Sequence, residues 1–153
     1  MSSSRADIHD NIGWADARPI VSVLIPFLRD DPEPLLRRLD TEAAALAGRV
    51  ELVLLDDGTG DAALTARLKT AIDALALPAR LVTLSDNEGR ARGRNRLTIA
   101  ARGQAWLFLD SDMKPDDARF LQVWVDLAGR DNPAVAFGLS LIHISEPTRL
   151  RRI

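Results

Sequence analysis

The sequence predicts an α/β fold in which a mostly parallel β-sheet lies between two layers of helices. From residue 20 onward, short runs of aliphatic and β-branched residues alternate with amphipathic segments of helical periodicity. Strands that alternate with helices of this length are typical of a parallel sheet with helices on both faces. Acidic residues follow three of the four predicted strands, where open α/β sheets bind their ligands.

The composition is that of an ordinary globular domain. A chain of 153 residues fits one domain with a real core, and 46% of its residues are hydrophobic and 27% charged. The formal net charge of -2 provides no broad basic surface, so we expect no nucleic-acid partner. Cysteine is absent from the sequence, which excludes disulfides and thiolate-bound zinc.

The first 19 residues are polar and acidic. They contain no apolar stretch of the kind that forms a signal peptide, and we expect a flexible N-terminal extension over residues 1–19. No apolar run approaches the roughly 20 residues of a membrane span. We therefore expect a cytoplasmic protein, and peripheral attachment of the full-length protein to a membrane stays open.

Four apolar runs predict the strands of the sheet. The first covers residues 20–26 and is rich in β-branched side chains until it stops at proline. The others cover residues 50–55, 80–84 and 105–109. Each is short enough for a buried strand and too short for a buried helix.

Four amphipathic segments follow these strands and predict helices. The first begins at residues 30–32, where two aspartates precede a proline, and ends at Gly48. The second begins near Asp61, the third covers the arginine-rich residues 90–102, and the fourth begins near Phe120. Their apolar residues recur at steps of three and four, so each helix covers the sheet with one face.

Two carboxylates at the end of the fourth predicted strand suggest a metal site. Alternate residues at a strand end point the same way, so Asp110 and Asp112 can face one ligand. Ions such as Mg²⁺ use few protein carboxylates and share phosphate oxygens, which fits a metal-diphosphate site. The alternative is an acidic turn between strand and helix, in which Asp116 or Asp117 caps the helix.

The second predicted strand ends in Asp56-Asp57-Gly58-Thr59. A carboxylate at this position can accept a hydrogen bond from the imide N–H of uracil or from an equivalent donor of another base. The alternative is a hydrated turn closed by Gly58.

Four motifs together resemble one family. They are VSVLIPF at 21–27, LVLLDDGTGD at 52–61, NEGRARGRN at 87–95 and WLFLDSDM at 106–113. Their order and spacing resemble those of the family 2 glycosyltransferases. The resemblance implies a three-layer, Rossmann-like GT-A half-domain that binds a nucleoside diphosphate sugar together with Mg²⁺ or Mn²⁺. The complete enzyme would transfer the sugar to an acceptor hydroxyl, and the acceptor, saccharide or lipid-linked, stays open.

The resemblance also implies roles for individual residues. Asp112 would contact the metal directly, and Asp110 would contact the ribose or a metal-bound water. In the arginine-rich helix, Arg94 matches the conserved pattern of the family, and the other arginines are expected to be solvated or paired with acids. The implied donor-binding residues are Pro26, Phe27, Asp56, Asp57, Asn87, Gly89, Arg94, Asp110 and Ser111.

Residues 139–153, LSLIHISEPTRLRRI, resemble the translation of a sequencing-library adapter. We expect this tail to be non-native, so that His143 says nothing about a metal or acid/base site. Residues 20–138 would then be the nucleotide-sugar-binding part of a truncated domain. Its general base and acceptor site would belong to the missing half, and we expect no turnover by the fragment.

Two other functions compete with this interpretation. A haloacid-dehalogenase-type phosphatase also places D-x-D after an apolar strand and would use Asp110 as nucleophile. That family has threonine or valine where Lys114 stands in this chain. The third possibility is a nucleotide-binding module without catalytic activity.

Overall fold

The structure is a computed structural model and describes residues 3–130. The predicted non-native tail at 139–153 lies outside the described residues. Across residues 3–130, none of the helices combines the length and the apolar character that a membrane crossing needs. The elements in chain order are β1 (Ala6–Asp10), β2 (Val21–Phe27), α1 (Glu33–Asp40), α2 (Ala43–Leu46), β3 (Val50–Asp56), α3 (Ala62–Asp73), β4 (Ala79–Leu84), α4 (Arg90–Ala100), β5 (Ala105–Phe108) and α5 (Phe120–Arg130).

The five strands form one sheet in the order β1-β4-β3-β2-β5. Strands β2 to β5 are parallel, and β1 pairs with β4 in the antiparallel direction. The predicted α/β class and mostly parallel sheet are confirmed. From β2 the chain builds outward through β3 and β4, then returns to add β5 on the other side of β2. The order therefore reverses between β2 and β5, and ligands of open α/β sheets bind at such a point.

Helices cover both faces of the sheet. Side chains of α1, α3 and α5 pack on one face, and α4 packs with Trp14 on the other. Alternate residues of β3 enter the two core clusters: Leu52 and Leu54 the first, Val53 and Leu55 the second. Because both faces are covered, β3 is buried along its whole length, which explains its continuous apolar sequence.

The first predicted helix is divided into α1 and α2. The hydroxyl of Thr41 donates a hydrogen bond of 2.6 Å to the carbonyl of Arg38, a local bond that competes with helix continuation. Glu42 follows and is buried, because its carboxylate accepts the backbone N–H groups of Leu121 at 2.9 Å and Gln122 at 3.3 Å. The break thus places an acidic side chain on the first turn of α5, whose N–H groups need acceptors.

The expected flexible extension over residues 1–19 is wrong for its described part. Residues 6–10 form β1, which pairs with β4 from Ala6 opposite Leu84 to Asp10 opposite Arg80. An ion pair between the two strands reinforces this pairing: Asp10 of β1 binds Arg80 of β4 at 2.6 Å. The polar composition indicated a loose segment, but an edge strand needs only backbone partners on one side and can keep polar side chains.

Two buried residues after β1 fasten this part of the chain to the core. The Asn11 amide donates to the carbonyls of Ile72 and Leu77 and accepts the N–H of Ala79. The indole ring of Trp14 is 5% exposed and lies in the second core cluster. Residues 11–14 are therefore part of the folded domain.

Candidate functional site

The carboxyl ends of β2, β3 and β5 meet at one edge of the sheet. Phe27 is level with Asp56 of β3, and Leu24 is level with Phe108 of β5. The acidic residues that follow these strands therefore emerge side by side. The Ser111 hydroxyl, just past β5, donates to Oδ2 of Asp30, just past β2, at 3.4 Å. The structure thus joins the two sides of the switch point through a polar contact.

The loop after β5 presents its two aspartates to solvent. Asp110 and Asp112 are exposed, and Ser111 between them is buried. The N–H of Met113 donates to the carbonyl of Asp110 at 3.1 Å and closes a tight turn. Two exposed carboxylates therefore flank a buried residue, and their joint part in a metal site stays a prediction.

The other end of this loop is fixed to α1. The guanidinium of Arg38 donates from Nε to the carbonyl of Pro115 at 2.8 Å and from Nη2 to the carbonyl of Asp117. The Asp117 carboxylate accepts the N–H of Arg119 at 2.8 Å at the approach to α5. Asp117 is thus used in the turn, as the alternative interpretation of this loop expected, while Asp110 and Asp112 stay available to a ligand.

The donor set at this edge suits a hard divalent cation. Carboxylate oxygens are the preferred ligands of Mg²⁺ and Mn²⁺. Within residues 3–130, however, no three His, Cys, Asp or Glu side chains come together in a ready-made metal site. Asp110 and Asp112 therefore fit a metal that completes its coordination with phosphate oxygens and water.

Asp56 and Asp57 are buried after β3 and accept backbone N–H groups, and their role in base recognition stays a prediction. Oδ1 of Asp56 accepts the N–H of Thr59 at 2.9 Å within the turn. Asp57 reaches the neighbouring loop, where its two oxygens accept the N–H groups of Glu88 at 2.8 Å and Gly89 at 3.0 Å. Asp57 therefore connects the loop after β3 to the first turn of α4.

The two loops touch closely at Gly58. Its φ is +82°, and a Cβ atom there would lie 2.4 Å from the backbone N of Asn87 and 2.5 Å from the backbone carbonyl carbon of Asp86. These contacts involve backbone atoms that have no freedom to rotate away. Glycine is required here by the conformation and by the space, so the contact between the loops depends on it.

The start of α4 is held by an ion pair within the loop. Glu88 binds Arg96 through two hydrogen bonds, Nε to Oε2 at 2.6 Å and Nη2 to Oε1 at 2.8 Å. The hydrogen bond with Arg96 lowers the pKa of Glu88, and the same bond raises the pKa of Arg96. Gly89, the residue before α4, has a φ of +90°. Arg96 is thus a structural partner of the loop.

Arg94 lies on the β5 side of α4. Its guanidinium carbon is 5.2 Å from the centre of the Phe108 ring, and the side chain is otherwise exposed. A cation over a ring face is attracted to it, so this contact directs Arg94 towards the end of β5. Its predicted part in anion binding stays a prediction.

The remaining predicted site residues have mixed surroundings. Pro26 is half-buried, and the Phe27 side chain packs in the first core cluster while its carbonyl accepts the N–H of Asp57 at 3.0 Å. Asn87 is exposed in the loop before α4. Their roles in donor binding stay predictions.

Three residues of this edge were not in the predicted set. Asp30 carried a usable signal, since it follows β2 as directly as other candidates follow their strands. Glu88 lies inside the motif at 87–95, and its charge could have marked it as a candidate site residue. Ser4, which donates to and accepts from the 85–88 loop, has no signal at all because it is 81 to 84 residues away in sequence.

Two solved structures of similar fold contain a nucleotide sugar. S. aureus TarS 1-349 in complex with UDP-GlcNAc has a TM-score of 0.58 and 23% identity, and the match covers 73% of this chain and 32% of that one. The mannosyltransferase PcManGT from Pyrobaculum calidifontis in complex with GDP-Man and Mn²⁺ has a TM-score of 0.60 and 24% identity, with 84% and 37% covered. The chain thus spans about a third of the length of these proteins.

A comparison with curated proteins gave no match. The family model described as glycosyl transferase family 2 matches residues 22–153, which includes all four motifs except Val21 at the start of the first. With the sheet order, the acidic switch point and this match in agreement, the chain belongs to glycosyl transferase family 2.

Proposed function

We propose that this chain is the donor-binding part of an enzyme that transfers a sugar from a nucleoside diphosphate sugar to an acceptor hydroxyl with the help of Mg²⁺ or Mn²⁺. The observation that carries the proposal is the position of Asp110 and Asp112. Both carboxylates are exposed where the strand order reverses, and Ser111 links their loop to the end of β2. Family membership favours this reaction over the phosphatase that would use Asp110 as nucleophile.

The metal would be held by Asp112 directly and by Asp110 directly or through water. A bound divalent cation neutralises the charge of the diphosphate leaving group. These two residues would hold the cation, and Arg94 of α4, which contacts the Phe108 ring at the end of β5, would add a positive side chain near this edge. The solved mannosyltransferase of similar fold carries Mn²⁺ with its donor, which supports the choice of metal.

The base would be recognised at the end of β3. Both oxygens of Asp57 already accept backbone N–H groups, so we assign to Asp57 the shaping of the loop. Asp56 uses Oδ1 for the N–H of Thr59 within this turn, which leaves Oδ2 as the second acceptor atom of the carboxylate. Oδ2 of Asp56 is therefore the acceptor that we assign to a base N–H.

The acceptor and the general base are proposed to belong to a region outside residues 20–138. Solved structures of this fold are about three times as long as the part that this chain matches. The acceptor, a saccharide or a lipid-linked sugar, would bind that region together with the donor.

Calorimetric titration with UDP and GDP, in EDTA and in Mn²⁺, tests the donor site. We expect weak binding in EDTA, because the aspartates repel the diphosphate, and tighter binding in Mn²⁺. Asp112→Asn keeps the shape of the side chain but removes its charge, so it should lose at least about tenfold in affinity in Mn²⁺. Asp110→Asn should lose less, because its proposed contact is partly indirect.

Asp116→Asn is the matched control. Asp116 is an exposed carboxylate of the same loop, so its variant should bind like the parent. Metal-independent binding, or an Asp112→Asn variant with parental affinity in Mn²⁺, would overturn the metal-diphosphate site. An aspartyl phosphate trapped on Asp110 would favour the phosphatase instead.

A further inference from the structure

Residues 3–5, called here the N-terminal segment, bind the loop that precedes α4. The hydroxyl of Ser4 accepts the N–H of Asp86 at 3.0 Å, and the N–H of Ser4 donates to Oε1 of Glu88 at 3.1 Å. Arg5 and Ser85 exchange two further bonds, Ser85 N–H to the Arg5 carbonyl at 2.9 Å and Arg5 N–H to the Ser85 hydroxyl at 3.1 Å. Two consecutive residues, Ser4 and Arg5, are thus bound to the loop.

Arg96 of α4 connects the same partners. Its Nη2 donates to the hydroxyl of Ser3 at 3.1 Å and to the carbonyl of Ser4 at 3.3 Å, while the guanidinium binds Glu88. Glu88 therefore receives bonds from both the segment and the helix. Its side chain binds these two partners, while its backbone N–H donates to Asp57.

The opposite side of this loop forms part of the proposed base site. The backbone N–H groups of Glu88 and Gly89 donate to Asp57, and Gly58 packs on the backbone of Asp86 and Asn87. The loop thus lies between the N-terminal segment on one side and the turn after β3 on the other. Contacts that order the 85–89 loop therefore also hold Asp57 in place.

We infer that the N-terminal segment is a positioning element for the base-binding end of the donor site. It touches no residue assigned to the donor, and it acts by holding the 85–89 loop against Asp57 and Gly58. The expected effect on nucleotide binding rests on the proposed function, whereas the ordering of the loop does not. The family match begins at residue 22, so the segment lies outside the matched region. A loop ordered before the ligand arrives lowers the entropic cost of binding.

Hydrogen exchange on a variant that lacks residues 2–5 tests the positioning without any ligand. The deletion removes every contact of the segment but keeps β1, Asn11 and Trp14. The amides of Glu88 and Gly89 should exchange roughly tenfold faster than in the parent, because local opening becomes easier. The amide of Leu54 in β3 should be unchanged, which shows that the domain is still folded. Ser4→Ala, a milder change, should give a smaller increase at the same two amides.

Lys69→Gln is the matched control. Lys69 forms an ion pair of 2.9 Å with Asp7, so the change also loosens the N-terminal part of the chain, but on α3 and away from the loop. Its Glu88 and Gly89 amides should exchange as in the parent. If they accelerate as much as in the deletion variant, general loosening explains the effect and the inference is wrong.

Titration in Mn²⁺ then tests the consequence for the site. The deletion should weaken UDP or GDP binding by roughly tenfold and leave pyrophosphate binding unchanged, because only the base end loses its order. Equal loss for both ligands, or no loss for either, would contradict the inference. A parent that binds neither ligand would overturn the proposed function, and amide exchange would still decide whether the segment orders the loop.

Discussion

Asp57 is a buried acid whose carboxylate is used by backbone N–H groups of a neighbouring loop. Its two oxygens accept the N–H groups of Glu88 and Gly89, the two residues immediately before α4. A carboxylate at a helix N-terminus is also favoured by the helix dipole. A residue 31 positions earlier in sequence therefore caps α4, and the side chain that sequence patterns assign to the base stabilises the protein itself.

The backbone conformation of Gly58 leads to a prediction about stability. Gly58→Ala should lower the free energy of unfolding by at least about 2 kcal/mol, because it adds left-handed backbone strain and a backbone clash. Chemical denaturation measures this change. The clash, with a Cβ 2.4 Å from the Asn87 nitrogen, cannot be relieved by a side-chain rotation.

Gly60→Ala separates the two contributions. Gly60 has a φ of +72°, but nothing lies within 4 Å of a Cβ added there. It should therefore cost only the left-handed strain of about 1–2 kcal/mol. Equal destabilisation by the two alanines would mean that the loops are not in contact at Gly58.

β1 is the strand that the sequence did not reveal. Its five residues are mostly exposed, and their polar pattern matches that of a disordered terminus. The strand forms because β4 offers a free edge and because charged partners lie opposite its side chains, such as Lys69 for Asp7. Those partners are more than 60 residues away, and no local pattern can indicate them.

Trp14 anchors this element. The guanidinium carbons of Arg102 and Arg80 lie over its ring, 3.8 Å and 4.5 Å from the ring centre. Trp14→Ala should lower the free energy of unfolding by about 3–5 kcal/mol, since it leaves a cavity and removes two cation–π contacts. Thermal and urea unfolding measure it, with Ile12→Ala as control. Ile12 is 95% exposed and should change stability by no more than about 0.5 kcal/mol.

A loss below about 1 kcal/mol for Trp14→Ala would contradict the view that the N-terminal part belongs to the folded domain. The neighbouring residue gives an independent check, because Asn11 makes three buried hydrogen bonds. The backbone N–H of Ala79, which donates to the Asn11 side chain, should lose its protection from exchange in the Trp14→Ala variant.

For the whole molecule, the fold was predictable where periodicity was strong. The four parallel strands begin and end within two residues of their predicted bounds, and the helices after them begin close to their predicted starts. The first predicted helix is divided at Thr41. The predicted acids did appear at one edge, because parallel strands all end on the same side. What the sequence could not show is which carboxylates are already occupied, since Asp57 and Glu88 find their partners through tertiary contacts.

Acid should release the N-terminal part of the molecule. Hydrogen bonds with Arg96 and Lys69 lower the pKa values of Glu88 and Asp7, respectively, and nearby Arg92 acts in the same direction on Glu88. A carboxylate with a lowered folded-state pKa adds stability above its usual value, 4.5 for Glu88, and loses it as the pH falls through the folded value.

The test compares the parent with Glu88→Gln in urea unfolding from pH 7 to pH 3. The parent should be more stable above about pH 5, and the difference should shrink as the pH falls, because protonation removes the same charge that the substitution removes. A difference that stays constant to pH 3 would show that the charge of Glu88 contributes nothing.

The contact at Gly58 has a consequence for how proteins of this fold can be recombined. The turn after β3 and the loop before α4 meet backbone to backbone, so neither surface can change shape alone. A chimera that receives only one of these loops from a relative would lose the capping of α4 by Asp57. The two loops must be exchanged as a pair, and a second substitution in the partner loop would rescue a harmful first one.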